Sequence, residues 1–288
     1  MEIVGTAHAL EEHGQEPRCI LASALEDLTD HAVLHEWELP VSEGPRSTRR
    51  PSVRVHDGGR IDMTLLCLGA DRMSTPLRVH TSDRGLLVLA PEPLHPLVRT
   101  AVSAAEGVAD AVVAIVLAVA RECEEILDQV DDEIQEDADR ETGYASSPRR
   151  RTMGRERAQL FRIQEMQAAQ RDLVAPEEEL AQAVGHGHHR RLRRATAAFE
   201  ANRSLASRLY AMVGDLLNEQ DTIVSERLTL VATIFLPLTL ATGFFGMNFG
   251  WMQDHLGSAT AFVLLGIVAP AVATAATFVL IRRLTRTS

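Results

Sequence analysis

Residues Leu228–Asn248 read LTLVATIFLPLTLATGFFGMN, and within them Leu228–Phe245 contains no Asp, Glu, Lys or Arg. A helix needs about 20 apolar residues to cross the hydrocarbon of a bilayer, a length this run reaches once Gly246 and Met247 are added. A second uncharged run, Ser258–Ile281, is ample for a span. The connecting loop, Asn248–Gly257, carries no Lys or Arg, whereas Arg227 precedes the first run and Arg282, Arg283 and Arg286 follow the second. The positive-inside rule then places both termini in the cytoplasm.

Two helices that only anchored a soluble domain would have no need of a patterned face. Ser225, Leu228, Ala232, Leu236, Thr239 and Gly243 recur at spacings of three or four, so they share one side of the first helix. Hydroxyls and small residues alternate there with leucine, which suits an oligomeric pore or a close helix contact better than lipid. Spacing alone leaves both open.

Upstream of the spans, residues 1–227 carry nearly all the charge. Residues 94–227 have the composition of long helices. Leu94–Glu141 is expected as one helix, ending at the Thr142–Ser147 break, where Ser147 can cap a helix starting at Pro148. That second helix should reach about Val174 and restart at Pro176. A third begins after Gly185-His186-Gly187-His188 and meets no Pro until Pro237. From His189 to Phe245 it would be roughly 85 Å long, a stalk and a membrane helix in one piece. The apolar run Ala111–Ala120, bounded by Asp110 and Arg121, is too short to span and is expected to be a buried helix of the soluble part. Residues 1–93 read as a small α/β domain. Ser52–His56 and Ile61–Leu68 flank Asp57-Gly58-Gly59 as a hairpin, and Leu77–His80 and Leu86–Leu89 flank a second turn. Leu21–Leu39 is expected to be helical and Gly44–Pro51 a loop. The expected division is therefore 1–93, 94–227 and 228–288.

The 288 residues carry a formal charge of −11. Binding a phosphate backbone requires a net basic face, so nucleic acid is excluded as a partner, and an acidic body suits cations better. All 29 basic residues are Arg. Cys19, Cys67 and Cys123 form no C-x-x-C pair, which excludes a zinc ribbon and a disulfide framework, and the thiols are expected to be reduced. The first residues show neither a basic nor an apolar signal region, so insertion is expected to depend on the C-terminal runs. No P-loop, Gly-x-Ser-x-Gly, His-Glu-x-x-His or paired-carboxylate motif occurs, so an enzyme is not expected, nor a resident cofactor.

Gly246-Met247-Asn248 between two C-terminal spans, preceded by Ala232-Thr233-Ile234-Phe235-Leu236-Pro237-Leu238-Thr239, resembles the signature of the CorA-like, or two-transmembrane GxN, family of divalent metal cation transporters. The resemblance implies an α+β cytoplasmic domain, long α-helices and two transmembrane helices assembled as a funnel-shaped homopentamer in the plasma (inner) membrane. The first span would line the pore, and Gly246 and Asn248 would form the ion entrance. The chemistry agrees. Mg²⁺ gives up its water reluctantly and prefers octahedral oxygen, so a ring of Asn248 amide and backbone oxygens could hold the hydrated ion. Gly246 lets the backbone approach the axis. The implied activity is passive uptake of Mg²⁺, with Co²⁺ or Ni²⁺ as further cargo. A Zn²⁺ carrier of the ZntB-like branch and a non-conducting membrane-anchored sensor or scaffold are the alternatives.

The chain departs from the family pattern at several points. The aromatic-Met-Pro-Glu that often follows the motif is Trp251-Met252-Gln253-Asp254, and Asp254 is either a cation-attracting acid or a solvated loop residue. The family's gate of Met and Leu three residues apart aligns with Ser225 and Leu228, which removes one apolar ring. Its Asn one turn earlier is Thr222. Its regulatory acids near the start of the stalk are replaced by Arg190-Arg191-Leu192-Arg193-Arg194. Glu122–Glu141 is rich in acids, a solvated face or a cation reservoir. His186, His188 and His189 are zinc-ligand types in a glycine-containing turn, open between a metal site and a plain loop.

Overall fold

The computed structural model describes residues 2–5, 18–23, 50–82, 85–140, 146–246, 258, 260 and 263–285. They fall into two units, one of Met1–Glu141 with Ser147–Leu216, the other of Thr142–Ser146 with Leu217–Ser288.

The first unit is an α+β body around a six-stranded sheet of order β1-β2-β6-β5-β4-β3. β1 (Glu2–Gly5) and β2 (Arg18–Ala22) are parallel, and β2 is parallel to β6 (Gly85–Leu89). β3 (Ser52–Val55), β4 (Ile61–Leu68), β5 (Ser74–Ser82) and β6 form an antiparallel meander. Both expected hairpins form. Gly58 and Gly59 have φ of 84° and 78°, the left-handed pair that a tight β3–β4 turn demands and that glycine adopts without strain.

Two sequence expectations are corrected. Leu21 and Ala22 do not begin a helix. They end β2, paired with Val88 and Leu89, while residues 24–39 lie outside the described residues. A short apolar run cannot be told from a buried helix by periodicity, and Arg18–Ala22 lies between two strands in the sheet interior. Nor is Leu94–Glu141 one helix. A 3₁₀ turn at Glu92–Leu94 leads into α1 (His95–Ser103), and α2 (Val108–Arg140) starts afresh. The break at Ala104–Gly107 folds α1 back so that Val98 and Val102 join the same core as Ala111, Val112, Ile115 and Val116.

Then come α3 (Ser147–Leu173), α4 (Glu179–Val184), a 3₁₀ turn at His186–His188, and α5 (His189–Gly246). The run Ala111–Ala120 is buried as expected, packed with Leu65, Cys67, Leu77 and Val79 of the sheet and with Leu180, Leu192 and Phe199. Each such Val, Leu or Ile contributes about 1.5–3 kcal/mol relative to exposure. All three cysteines are buried, and burial pushes each thiol up to about 12, so none is a reactive thiolate.

The sheet ends unevenly, and two residues deal with the consequence. β3 reaches only as far as Thr64 of β4, so the next outward N–H, that of Leu66, has no strand to meet. It donates instead to Gln170 Oε1 of α3 at 2.8 Å, inside the protein. Pro76 lies opposite Leu66 on β5, beyond the last β5–β6 pair at Arg78 and Leu89, where its missing N–H costs no ladder bond. Gln170→Leu leaves the buried Leu66 N–H without an acceptor. It is expected to destabilise the soluble unit by about 1–3 kcal/mol, read as a lower unfolding midpoint in urea.

Helices α3 and α5 run antiparallel in constant register. Val174 just past α3 meets Thr196, Arg171 meets Glu200, and Phe161 and Arg157 both meet Tyr210. The Arg157 guanidinium lies 4.5 Å from the Tyr210 ring centroid, a cation–π contact. Gly214 makes room for it, since a Cβ there would stand 3.1 Å from the guanidinium. Helix α2 joins this pair through Gln167, which donates to Cys123 Sγ at 3.1 Å, and Asn202, which donates to the Ala120 carbonyl at 2.8 Å.

In the second unit α5 continues unbroken through Pro237 to Gly246. A π-helical turn at Leu264–Val268 then precedes α6 (Ala269–Thr285). Pro270 explains that turn. It cannot donate to the carbonyl of Gly266 four residues back, and a π register shifts the hydrogen bonding by one residue, as where Ala269 N–H reaches the Leu264 carbonyl.

Candidate functional site

Ser225, Leu228, Ala232, Leu236, Thr239 and Gly243 are all exposed on α5, Leu228 to 65% and Leu236 to 74%. At 3.6 residues per turn they fall within an arc of about 80°. The partly covered residues of the same stretch, Thr233, Ile234 and Pro237, lie on the opposite side. The six positions thus form a continuous face that nothing among the described residues of the protomer covers.

The threonines present oxygen in a particular way. Thr239 donates to the Phe235 carbonyl at 2.7 Å, Thr229 to Ser225 at 2.8 Å, and Thr242 to Leu238 at 3.0 Å. With the proton spent on its own helix, each hydroxyl turns lone pairs outward. Thr239 therefore offers an acceptor, the polarity a cation needs, on an otherwise apolar and small-residue face.

Gly246 is the last residue of α5, and among the described residues nothing lies within 4 Å of where its Cβ would stand. Met247, Asn248 and Asp254 lie outside the described residues. The three histidines do not converge. His189 Nε2 donates to the Ala181 carbonyl at 3.1 Å, and the His186 ring meets it edge-on at 4.8 Å between centroids. His188 Nδ1 is 3.7 Å from Asp110 Oδ1, and that carboxylate is paired with Arg191. Among the described residues no three His, Cys, Asp or Glu side chains are placed to hold a metal ion. The arginine run is also partly structural, since Leu192 within it is core. The partnership of Asp110 with Arg191 bridges 81 positions, and no local pattern announces it.

Helix α2 separates its residues cleanly. Cys123, Ile126, Leu127, Val130 and Ile134 are buried, while Glu124, Glu125, Asp128 and Asp132 are exposed. Glu133 pairs with Arg72, a non-glycine residue at φ 60° in the β4–β5 turn.

Among the described residues one helix, His186–Phe244, is long and apolar enough to cross a membrane, by length and composition. The described part of the second run holds a shorter apolar helix, Gly266–Ala276.

The chain belongs to the CorA-like Mg²⁺ transporter protein family, whose model matches residues 70–283. Over 70 residues it is 36% identical to YfjQ of Bacillus subtilis (strain 168), named for metal ion transport, a match spanning 24% of this chain and 22% of that relative. The full-length CmaX structure is similar at a TM-score of 0.60 and 16% identity, over 96% of this chain and 91% of that one. The CorA magnesium transporter of Methanocaldococcus jannaschii gives 0.53 and 18%, over 91% and 88%. The ZntB cytoplasmic domain of Vibrio parahaemolyticus RIMD 2210633 gives 0.50 and 17%, over 70% and 82%. These structural likenesses are likenesses of fold.

Proposed function

We propose that the chain carries Mg²⁺ across the inner membrane through a homo-oligomeric pore, a pentamer, whose wall is the Ser225–Gly243 face of α5 and whose outer mouth is the Gly246-Met247-Asn248 ring. The uncovered face of α5 carries the reading. It sits in a helix long and apolar enough to cross a bilayer, and it is open to cover from other copies. In this reading Ser258–Ile281 forms the second span, both termini are cytoplasmic, and residues 1–93, 94–227 and 228–288 are the cytoplasmic α/β domain, the helical region with its stalk, and the membrane part. The cation is cargo, and no step needs a resident cofactor. Thr239 lone pairs and the Asn248 amide oxygens exchange hydrogen bonds with the ion's own waters, which spares Mg²⁺ most of its dehydration.

The deciding experiment is ion flux into liposomes, with Mg²⁺ and Zn²⁺ compared with and without a proton gradient. Uptake of Mg²⁺ driven by voltage alone is the expected result. Proton-dependent Zn²⁺ uptake would turn the assignment to a zinc carrier, and no flux of either would leave a membrane-anchored sensor or scaffold.

Asp254 provides a second test. If a ring of its carboxylates concentrates cations at the mouth, Asp254→Asn lowers uptake at micromolar Mg²⁺ and low salt while leaving the saturated rate unchanged. An unaltered concentration dependence would make it a solvated loop residue.

A further inference from the structure

Arg157 of α3 is a cation without a counter-ion. It forms no hydrogen bond or ion pair among the described residues, and Glu156, its neighbour in sequence, pairs instead with Arg149 at 3.7 Å. The side chain is nevertheless half-buried, with its Nε sealed from solvent and no acceptor beside it. A buried charged donor left unpaired is costly, so its placement asks for a reason.

Two contacts hold the group in that position. The guanidinium lies 4.5 Å from the Tyr210 ring centroid, and one turn further along α5 a Cβ on Gly214 would stand 3.1 Å from its Cζ and Nη2. A long, flexible side chain is thereby clamped across two positions of one helix. Its freedom is given up before any ligand arrives, which lowers the cost of binding one.

The donors left over share one place. Of the guanidinium nitrogens only Nε is sealed without an acceptor, so the two terminal nitrogens remain for a partner from outside. The Tyr210 hydroxyl also makes no hydrogen bond among the described residues, and it stands on the ring over which the guanidinium lies. Positive charge, terminal N–H groups and a phenolic O–H together recognise an oxyanion. A phosphate group has enough oxygens to give each of the three donors its own, whereas a carboxylate has two. Phe161, 50% exposed with its ring 6.1 Å from that of Tyr210, adds an apolar flank for the organic part of an ester.

We propose that Arg157 and Tyr210 bind a phosphate group at the α3–α5 contact, either free phosphate or the phosphate of an ester, with Gly214 as a positioning residue.

The test is calorimetric titration of the full chain in detergent with inorganic phosphate and, separately, with glycerol 3-phosphate, against sodium chloride at equal ionic strength. Saturable binding is expected. Equal affinities identify free phosphate as the ligand, and tighter glycerol 3-phosphate identifies an ester. Arg157→Gln is expected to abolish binding. Tyr210→Phe keeps the ring and its cation–π contact and removes only the hydroxyl, so it should weaken binding about fivefold, as one lost hydrogen bond implies. Gly214→Ala shifts the guanidinium without harm to a helix and should weaken binding too. Arg162→Gln, which removes an exposed charge elsewhere on α3, should leave it unchanged. No saturable binding of either compound by the wild type overturns the proposal. So does binding that Tyr210→Phe and Gly214→Ala both leave intact, or that Arg162→Gln weakens as much as Arg157→Gln, since the attraction is then general charge and not a site.

Discussion

Asn248→Ala is expected to abolish selective Mg²⁺ uptake while leaving the protein assembled. The amide is the only side-chain oxygen within Gly246-Met247-Asn248, so alanine removes the ring that would hold the ion's waters. A lost hydrogen bond costs about 1 kcal/mol, and in the proposed pentamer the loss recurs in every copy, about 5 kcal/mol together, so a fall of roughly three to four orders of magnitude in flux is expected. The measurement is Mg²⁺ entry into liposomes at equal amounts of assembled protein, with Asn248→Asp alongside. The aspartate keeps an oxygen at the site and should retain part of the flux while altering the preference among divalent ions. Wild-type rate and selectivity in correctly assembled Asn248→Ala would remove the motif from the conduction path.

The second large effect is expected on the exposed face of α5, where Ser225 and Leu228 are one turn apart. A narrow apolar ring closes a pore by making water leave it, and here only Leu228 is apolar. Leu228→Ala is expected to raise basal cation leak several-fold. Ser225→Met, which adds a second ring, should lower it. Since repacking could imitate either change alone, both variants are measured together, normalised to assembled protein. Flux unchanged in both would take these positions off the axis and leave the face as a helix contact.

Local patterns made much of the fold legible. The hairpins declare themselves through Gly58-Gly59 and alternating strands, and α5 through its freedom from proline before Pro237. The strand at Arg18–Ala22 was not legible, because its character comes from β1 and β6 on either side and not from its own residues. The α1–α2 break had a faint signal in Glu106-Gly107, outweighed by strong helix formers around it. Of the site, the Ser225–Gly243 face could be read from spacing because helical periodicity is local. Contacts over long separations leave no such trace. Gln170 reaches Leu66 across 104 positions, and Asp110 reaches Arg191 across 81.

Pro237 gives the candidate span a mechanical property. Its ring nitrogen has no hydrogen to offer the Thr233 carbonyl, so the one missing rung of the helical ladder lies in mid-run. Bending a helix elsewhere must stretch a backbone bond, whereas flexing across Thr233–Pro237 stretches none. Compliance therefore concentrates in a single turn, with stiff segments on both sides. Thermal bending of the helix is expected to be discrete, a hinge between Leu228 and Gly243, so that the two ends of the face can tilt independently.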